Sequence, residues 1–81
     1  MFINKTIDHR NNICGKKVKT YRTEMKLSQK GLADRLQIKG LDIDKNAIQR
    51  IESGQRFVTD IELLALASFF NKTADELLKQ E

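Results

Sequence analysis

Proline and tryptophan are absent from this sequence, and cysteine and histidine each occur once. No proline is present to break a helix, and the few glycines mark turns and helix ends. Both features favour an all-α chain. The single cysteine, Cys14, excludes an internal disulfide and a zinc site of clustered cysteines, and it is best interpreted as a small core residue. The single histidine, His9, has no catalytic triad, paired carboxylates or metal-ligand spacing around it. We therefore predict a protein that is not an enzyme, with no catalytic residue, metal, cofactor or small-molecule ligand.

Long hydrophobic runs are also missing. No stretch approaches the roughly 18 apolar residues that a membrane span requires, and the N-terminus lacks the apolar run of a secretory signal. The sequence thus predicts a cytoplasmic protein with no membrane partner. Its 81 residues suffice for one domain with one hydrophobic core.

The basic and acidic residues are unevenly distributed. Residues 1–30 contain eight basic and two acidic side chains, a net charge of +6, whereas residues 31–81 contain seven and nine, a net charge of −2. Such asymmetry is typical of a surface that meets a polyanion, most commonly nucleic acid and less commonly an anionic membrane. A solvated lysine-rich face is the alternative interpretation.

Apolar spacing predicts five helices. Cys14, Val18, Tyr21 and Met25 follow one another at intervals of four, three and four residues, which places them on one helical stripe. Residues 1–12 show no period and are predicted to form a basic N-terminal arm, followed by a single domain over residues 13–81. The predicted helices cover residues 13–25, 29–37, 45–53, 60–70 and 74–79.

Helix-start and helix-stop residues support these boundaries. Serine, threonine and aspartate accept hydrogen bonds from the free amides of a first helical turn. Gly54 is placed to stop the third helix. The predicted caps are Ser28, Asp44 with Asp42 as the alternative, and Thr59 and Thr73, which pair with Glu62 and Glu76 in two capping boxes.

Two segments depart from a simple amphipathic pattern. The connection around Ile38 to Ile43 is long, and its apolar residues indicate local packing more than a partner site. The fourth helix is apolar almost all round, so it is expected at the centre of the core or partly in a partner interface.

The segments LSQKGLADRL, AIQRIESG, TDIELLALASFF and TADELL, in this order, resemble the Cro and phage-repressor type of helix-turn-helix protein, the xenobiotic-response-element family. The resemblance covers about residues 13–79. It implies a five-helix lambda-repressor-like domain that binds double-stranded DNA sequence-specifically as a transcriptional regulator, most simply a repressor. Two departures stand out, a turn between helices two and three that is about five residues longer than usual, and Gly31 in place of an acidic residue.

The resemblance also implies which residues contact DNA. The exposed start of the third helix should read bases in the major groove, while residues outside it hold phosphates. The predicted base-reading residues are Lys45, Asn46, Gln49 and Arg50, and the predicted phosphate contacts are Arg22, Ser28, Gln29 and Arg56.

Family resemblance further implies a homodimer. If the dimer forms, we predict that helix five and the C-terminal end of helix four make its interface, through Phe69, Phe70, Leu77 or Leu78. A protein-interaction module, such as the antitoxin of a toxin–antitoxin pair or an adaptor binding through helices four and five, is the main alternative function. A third hypothesis, membrane-surface binding by the basic first helix, has less support, because the apolar stripe of that helix is needed for the core.

Overall fold

The computed structural model describes residues 5–79, and over these residues the protein consists of α-helices and turns without β-strands. The predicted all-α, five-helix architecture is confirmed. No helix in this range has the length and apolarity needed to cross a membrane. Residues 1–4 of the predicted arm and residues 80–81 lie outside the described range. The helices are α1 (Gly15–Glu24), α2 (Gln29–Ile38), α3 (Lys45–Ser53), α4 (Asp60–Phe69) and α5 (Ala74–Leu78).

Side-chain caps begin four of these helices at the predicted positions. Ser28 Oγ accepts from the Gly31 amide at 2.9 Å, and the predicted capping boxes at the starts of α4 and α5 are both formed. Asp44, and not the alternative Asp42, caps α3. α1 has no side-chain cap and starts at Gly15, two residues later than its periodicity predicted.

All five helices contribute to one hydrophobic core. Cys14 belongs to this core, and burial raises the pKa of its thiol to about 11, so the thiol is protonated and unreactive near neutral pH. Met25, predicted on the same stripe, is exposed because α1 ends one residue before it. The fully buried large side chains are Val18, Leu32, Leu36, Ile48, Ile51, Leu66 and Leu77.

α4 lies at the edge of the core, so the expectation of a central position is wrong. Leu66 and Ala67 are buried, whereas Ile61 and Leu64 are 73% and 67% exposed. The helix is apolar on a face that nothing in the described chain covers.

The long connection between α2 and α3 is held by its own contacts. Gly40 adopts the left-handed conformation at φ 95°, and the Leu41 amide then donates back to the Leu36 carbonyl at 3.0 Å. Ile43 is buried, and the Gln37 side chain donates to its carbonyl at 2.8 Å. Local packing therefore accounts for Ile43, while Ile38 remains exposed.

Residues 10–12, assigned to the arm by sequence, pack against the end of α3. The Asn11 amide donates to the Gly54 carbonyl at 2.7 Å, and the Asn12 side chain is buried. The division of the chain at residue 12 stays a prediction, and the structure adds that residues 10–12 contact the end of α3.

Candidate nucleic-acid interface

Among the helices within residues 5–79, α3 has the clearest division into an apolar and a polar face. Asp44 Oδ1 accepts from the Ala47 amide at 2.8 Å to start the helix, and Gly54 at φ 85° ends it. Ala47, Ile48 and Ile51 are buried against the core. Because α-helical residues three and four apart share a face, this burial turns the other side of the helix toward solvent.

All four predicted base-reading residues lie on that outer side. They are exposed, and their side chains make no hydrogen bond or ion pair with residues 5–79. Each offers at least one N–H donor, and the amides of asparagine and glutamine also accept. The outer face of α3, defined as Lys45, Asn46, Gln49 and Arg50, is thus a free hydrogen-bonding surface.

Glu52, on the other side of the same helix, anchors a buried polar cluster. Its carboxylate accepts from Arg22 Nε at 2.6 Å and Arg22 Nη2 at 3.0 Å, a bidentate pair whose side chains are only 11% and 5% exposed. Gln29 Nε2 donates to the same carboxylate at 3.1 Å. This cluster ties α3 to α1 and to the start of α2.

The phosphate contact by Arg22 stays a prediction, and the structure places the guanidinium of this residue inside the protein. Its third nitrogen, Nη1, donates to the Leu27 carbonyl at 2.8 Å, so all three guanidinium nitrogens are engaged within the protein. With 11% of the side chain exposed, little of it is left for a phosphate. Arg22 pairs with Glu52 because the last turn of α1 packs beside α3, a contact that spans 30 positions in the sequence.

Arg56, the predicted phosphate contact after α3, forms a second bidentate pair. Its Nη1 and Nη2 atoms donate to the Glu62 carboxylate at 2.8 and 2.9 Å. The hydrogen bonds from Arg56 lower the pKa of Glu62, and the same contact raises the pKa of Arg56. The Arg56 side chain is partly exposed, so its guanidinium reaches the surface with its charge already balanced.

The start of α2 supplies the remaining predicted phosphate contacts. Ser28 is exposed and caps the helix, and Gln29 follows as the first helical residue, partly exposed. The hydrogen bond from Gln29 to Glu52 connects this helix start to α3. Free amides at a helix N-terminus favour anions, so this edge suits a phosphate.

The four predicted dimer residues do not share one surface. Phe70 and Leu77 are buried, and the Phe70 ring packs 5.6 Å from Tyr21 and 5.5 Å from Phe69, measured between ring centroids. Because Phe70 and Leu77 fill the core, little of either side chain is exposed for an interface. Only Phe69, in part, and Leu78 reach the surface.

A family model described as helix-turn-helix matches residues 18–77. The chain belongs to the Cro/C1-type helix-turn-helix family. This helix-turn-helix protein is therefore a DNA-binding domain. The matched range contains all eight predicted DNA-contacting residues. No curated protein and no solved structure matches the chain.

Sequence reasoning missed the polar residues that hold α3 in place. Glu52 was part of the AIQRIESG segment, but no role was assigned to it. Arg10 and Asn12 were assigned to an arm, although both side chains donate to carbonyls at the end of α3. A glutamate one residue before a helix-ending Ser-Gly is the only local signal, and it does not identify a partner.

Proposed function

We propose that this helix-turn-helix domain is a transcriptional regulator, acting as a repressor, that reads double-stranded DNA in the major groove with α3. The observation that supports the proposal most is the outer face of α3, where four hydrogen-bonding side chains are exposed and unpaired within the described chain. A major groove accommodates one α-helix, and only side chains on its outward face reach base edges.

The chemistry of the outer face suggests distinct roles. Asn46 suits adenine, to which an amide forms two hydrogen bonds, and Lys45 or Arg50 suits guanine. Gln49 lies one turn after Lys45 and can reach an adjacent base pair. Each good pair contributes about 1–3 kcal/mol of discrimination between bases.

Phosphate contacts position the domain without selecting sequence. We assign this role to Ser28, to Gln29 and to the backbone amides that start α2. Arg56 is a weaker contributor because Glu62 already neutralises its charge. Arg22 is left out of the set because its nitrogens are engaged inside the protein.

Repression requires only that the domain occupies the operator, since the bound domain then blocks other proteins from the same DNA. A two-fold dimer would occupy two half-sites one helical turn apart. Of the residues expected at such an interface, Phe69 and Leu78 remain available.

Selection of bound duplexes from a random pool tests the proposal. The wild-type protein is expected to enrich one motif, and Asn46→Ala and Arg50→Ala are expected to relax the preference at different positions of it. Ser68→Ala, an exposed polar residue on α4, is the matched control and should leave the motif unchanged. A wild-type protein that enriches no motif contradicts the proposal, and so does an unchanged motif in both α3 variants.

A second candidate function is protein binding, as in an antitoxin or an adaptor. The exposure of Ile61 and Leu64 on α4 favours it, because side by side on a helix they form an apolar surface suited to a partner. Affinity for random DNA distinguishes the two functions. The affinity of a DNA-binding protein for random DNA falls steeply as the salt concentration rises. A module that binds only proteins has no measurable affinity for random DNA.

A further inference from the structure

The C-terminal end of α3 leaves backbone carbonyls without helical partners. The last four carbonyls of any α-helix have no intrahelical donor, and α3 stops at Ser53 before the left-handed Gly54. The negative end of the helix dipole lies at the same place. Donors from elsewhere in the chain, and a positive charge above all, are therefore favourable there.

Arg10, Asn11 and Asn12 supply these donors, and we name them the N-terminal clasp. Arg10 Nη2 donates to the Glu52 carbonyl at 2.8 Å and lies 3.5 Å from the Ile51 carbonyl. Asn12 Nδ2 donates to the carbonyls of Ile51 at 3.0 Å and Arg56 at 2.8 Å. The Asn11 side chain donates to the Gln55 carbonyl at 2.8 Å. These side chains supplement the backbone amides of residues 54–56, which donate to the carbonyls of Arg50 and Ile51.

Two glycines make room for the clasp. A Cβ atom on Gly54 would lie 2.8 Å from Arg10 Cγ and Cζ, and one on Gly15 would lie 2.5 Å from Arg10 Nη2 and overlap the Ile51 carbonyl oxygen. The guanidinium therefore fills a slot between the end of α3 and the start of α1. Asn12 Oδ1 also accepts from the Gly15 amide at 2.9 Å, which fastens both helix ends to one side chain.

We propose that Arg10 is a positioning residue for DNA reading, which fixes the tilt of α3 through the clasp without touching DNA. The proposal rests on the function proposed above. A nine-residue helix is about 13 Å long, so a tilt of about 5° at its clasped end displaces its first turn by about 1 Å. Lys45 and Asn46 lie on that first turn, and bidentate base contacts do not tolerate such a displacement. Loss of the clasp is therefore expected to reduce sequence selectivity more than overall DNA affinity.

The test compares Arg10→Met with the wild-type protein and with Lys16→Met. Lys16 is an exposed cation that pairs with Asp8 and forms no hydrogen bond or ion pair with α3 within the described residues. Its variant has the same charge change as Arg10→Met. Affinity is measured for a selected duplex and for a scrambled one, at a temperature where circular dichroism shows every variant fully folded. We expect Arg10→Met to lower the ratio of the two affinities at least tenfold, Arg10→Lys to restore part of it, and Lys16→Met to leave it unchanged.

Two further readouts separate positioning from other roles. A direct phosphate contact by Arg10 would reduce the slope of log affinity against log salt by about 0.9 in Arg10→Met compared with Lys16→Met, and this result would overturn the proposal. An unchanged selectivity ratio in folded Arg10→Met would assign Arg10 to stability alone. Hydrogen exchange at the Asn11 amide, bonded to Gly54, reports whether the clasp has opened.

If Arg10→Met does not fold, Asn11→Ala provides the milder variant. It removes the hydrogen bonds of the Asn11 side chain with the Gln55 carbonyl and with Lys5 Nζ, and it leaves Arg10 in place. Asn11→Ala is expected to lower the selectivity ratio by a smaller factor than Arg10→Met. An unchanged ratio would contradict the proposal. A wild-type protein without sequence preference would refute the proposed function, and the clasp with it. A selective wild-type protein with an equally selective Arg10→Met variant would refute the clasp alone.

Discussion

Replacing Glu52 with glutamine removes one charge from the buried pair that ties α3 to α1. The substitution keeps the side-chain shape, but it removes the negative charge and replaces one acceptor oxygen with an NH2 group that faces a donor of Arg22 or Gln29. Removing one partner of a buried pair costs about 3–5 kcal/mol, because the remaining charge stays desolvated. Glutamine retains an acceptor oxygen, so we expect the lower end, about 3 kcal/mol. That is a large part of the roughly 4–12 kcal/mol stability expected for an 81-residue domain.

Thermal unfolding monitored by circular dichroism measures this loss of stability. A loss of about 3 kcal/mol corresponds to a fall in Tm of about 12–24 °C for a domain of this size. The matched control is Asp34→Asn, which breaks the exposed 2.8 Å pair between Lys30 and Asp34 and should cost less than about 1 kcal/mol.

A double variant tests the physical reason. Arg22→Met combined with Glu52→Met removes both charges and should recover most of the stability lost in Glu52→Gln, since apolar replacements of a buried pair are often neutral. A double variant no more stable than Glu52→Gln would refute this reasoning, as would a Glu52→Gln variant as stable as Asp34→Asn. The double variant should also bind random DNA with an unchanged salt slope, because Arg22 is not expected to contact a phosphate.

Three further predictions concern stability. Gly15→Ala should destabilise the fold by about 1–3 kcal/mol or prevent folding, because the added Cβ overlaps the Ile51 carbonyl oxygen. A urea midpoint equal to that of the wild-type protein would contradict the close approach of α1 to α3. Gly31→Ala should stabilise by about 0.5–1 kcal/mol, since alanine is the better helix former and only the flexible Ser28 hydroxyl, 3.2 Å away, has to adjust; a lower midpoint in the same assay would show that the cap was disturbed. Glu62→Gln keeps the capping box but loses the charge facing Arg56, at a cost of about 1 kcal/mol near pH 7. The folded pKa of Glu62 is lowered below its ordinary value of 4.5, so the ionised carboxylate stabilises the fold above pH 4.5 and this contribution is lost as the pH falls below that value. The unfolding free energies of Glu62→Gln and the wild-type protein should therefore converge in acid. A difference that does not depend on pH would refute the ionic explanation.

The starts of α2 to α5 were predictable because local chemistry determines them, whereas α1 has no side-chain cap and starts two residues later than predicted. Ser28, Asp44 and Thr59 each satisfy amides within three residues, and Gly54 ends α3 through its own backbone conformation. The outer face of α3 was predictable for the same reason, since the alternation of apolar and polar residues determines which side is buried.

The contacts that hold α3 in the fold could not be predicted locally. Arg22 meets Glu52 across 30 positions, and Arg10 meets it across 42, so neither partner appears in the other's neighbourhood. Periodicity also does not distinguish an apolar residue of the core from an apolar residue of an interface. Phe70 and Leu77 were therefore assigned to a dimer surface, although both fill the core.

The outward presentation of α3 is tested most directly by nuclear magnetic resonance during titration with a selected duplex. The side-chain amide signals of Asn46 and Gln49 are predicted to shift most, with smaller changes at the start of α2 and none at Ile61 or Leu64. Shifts confined to α4 and α5, with Asn46 and Gln49 unperturbed at saturating DNA, would contradict the account.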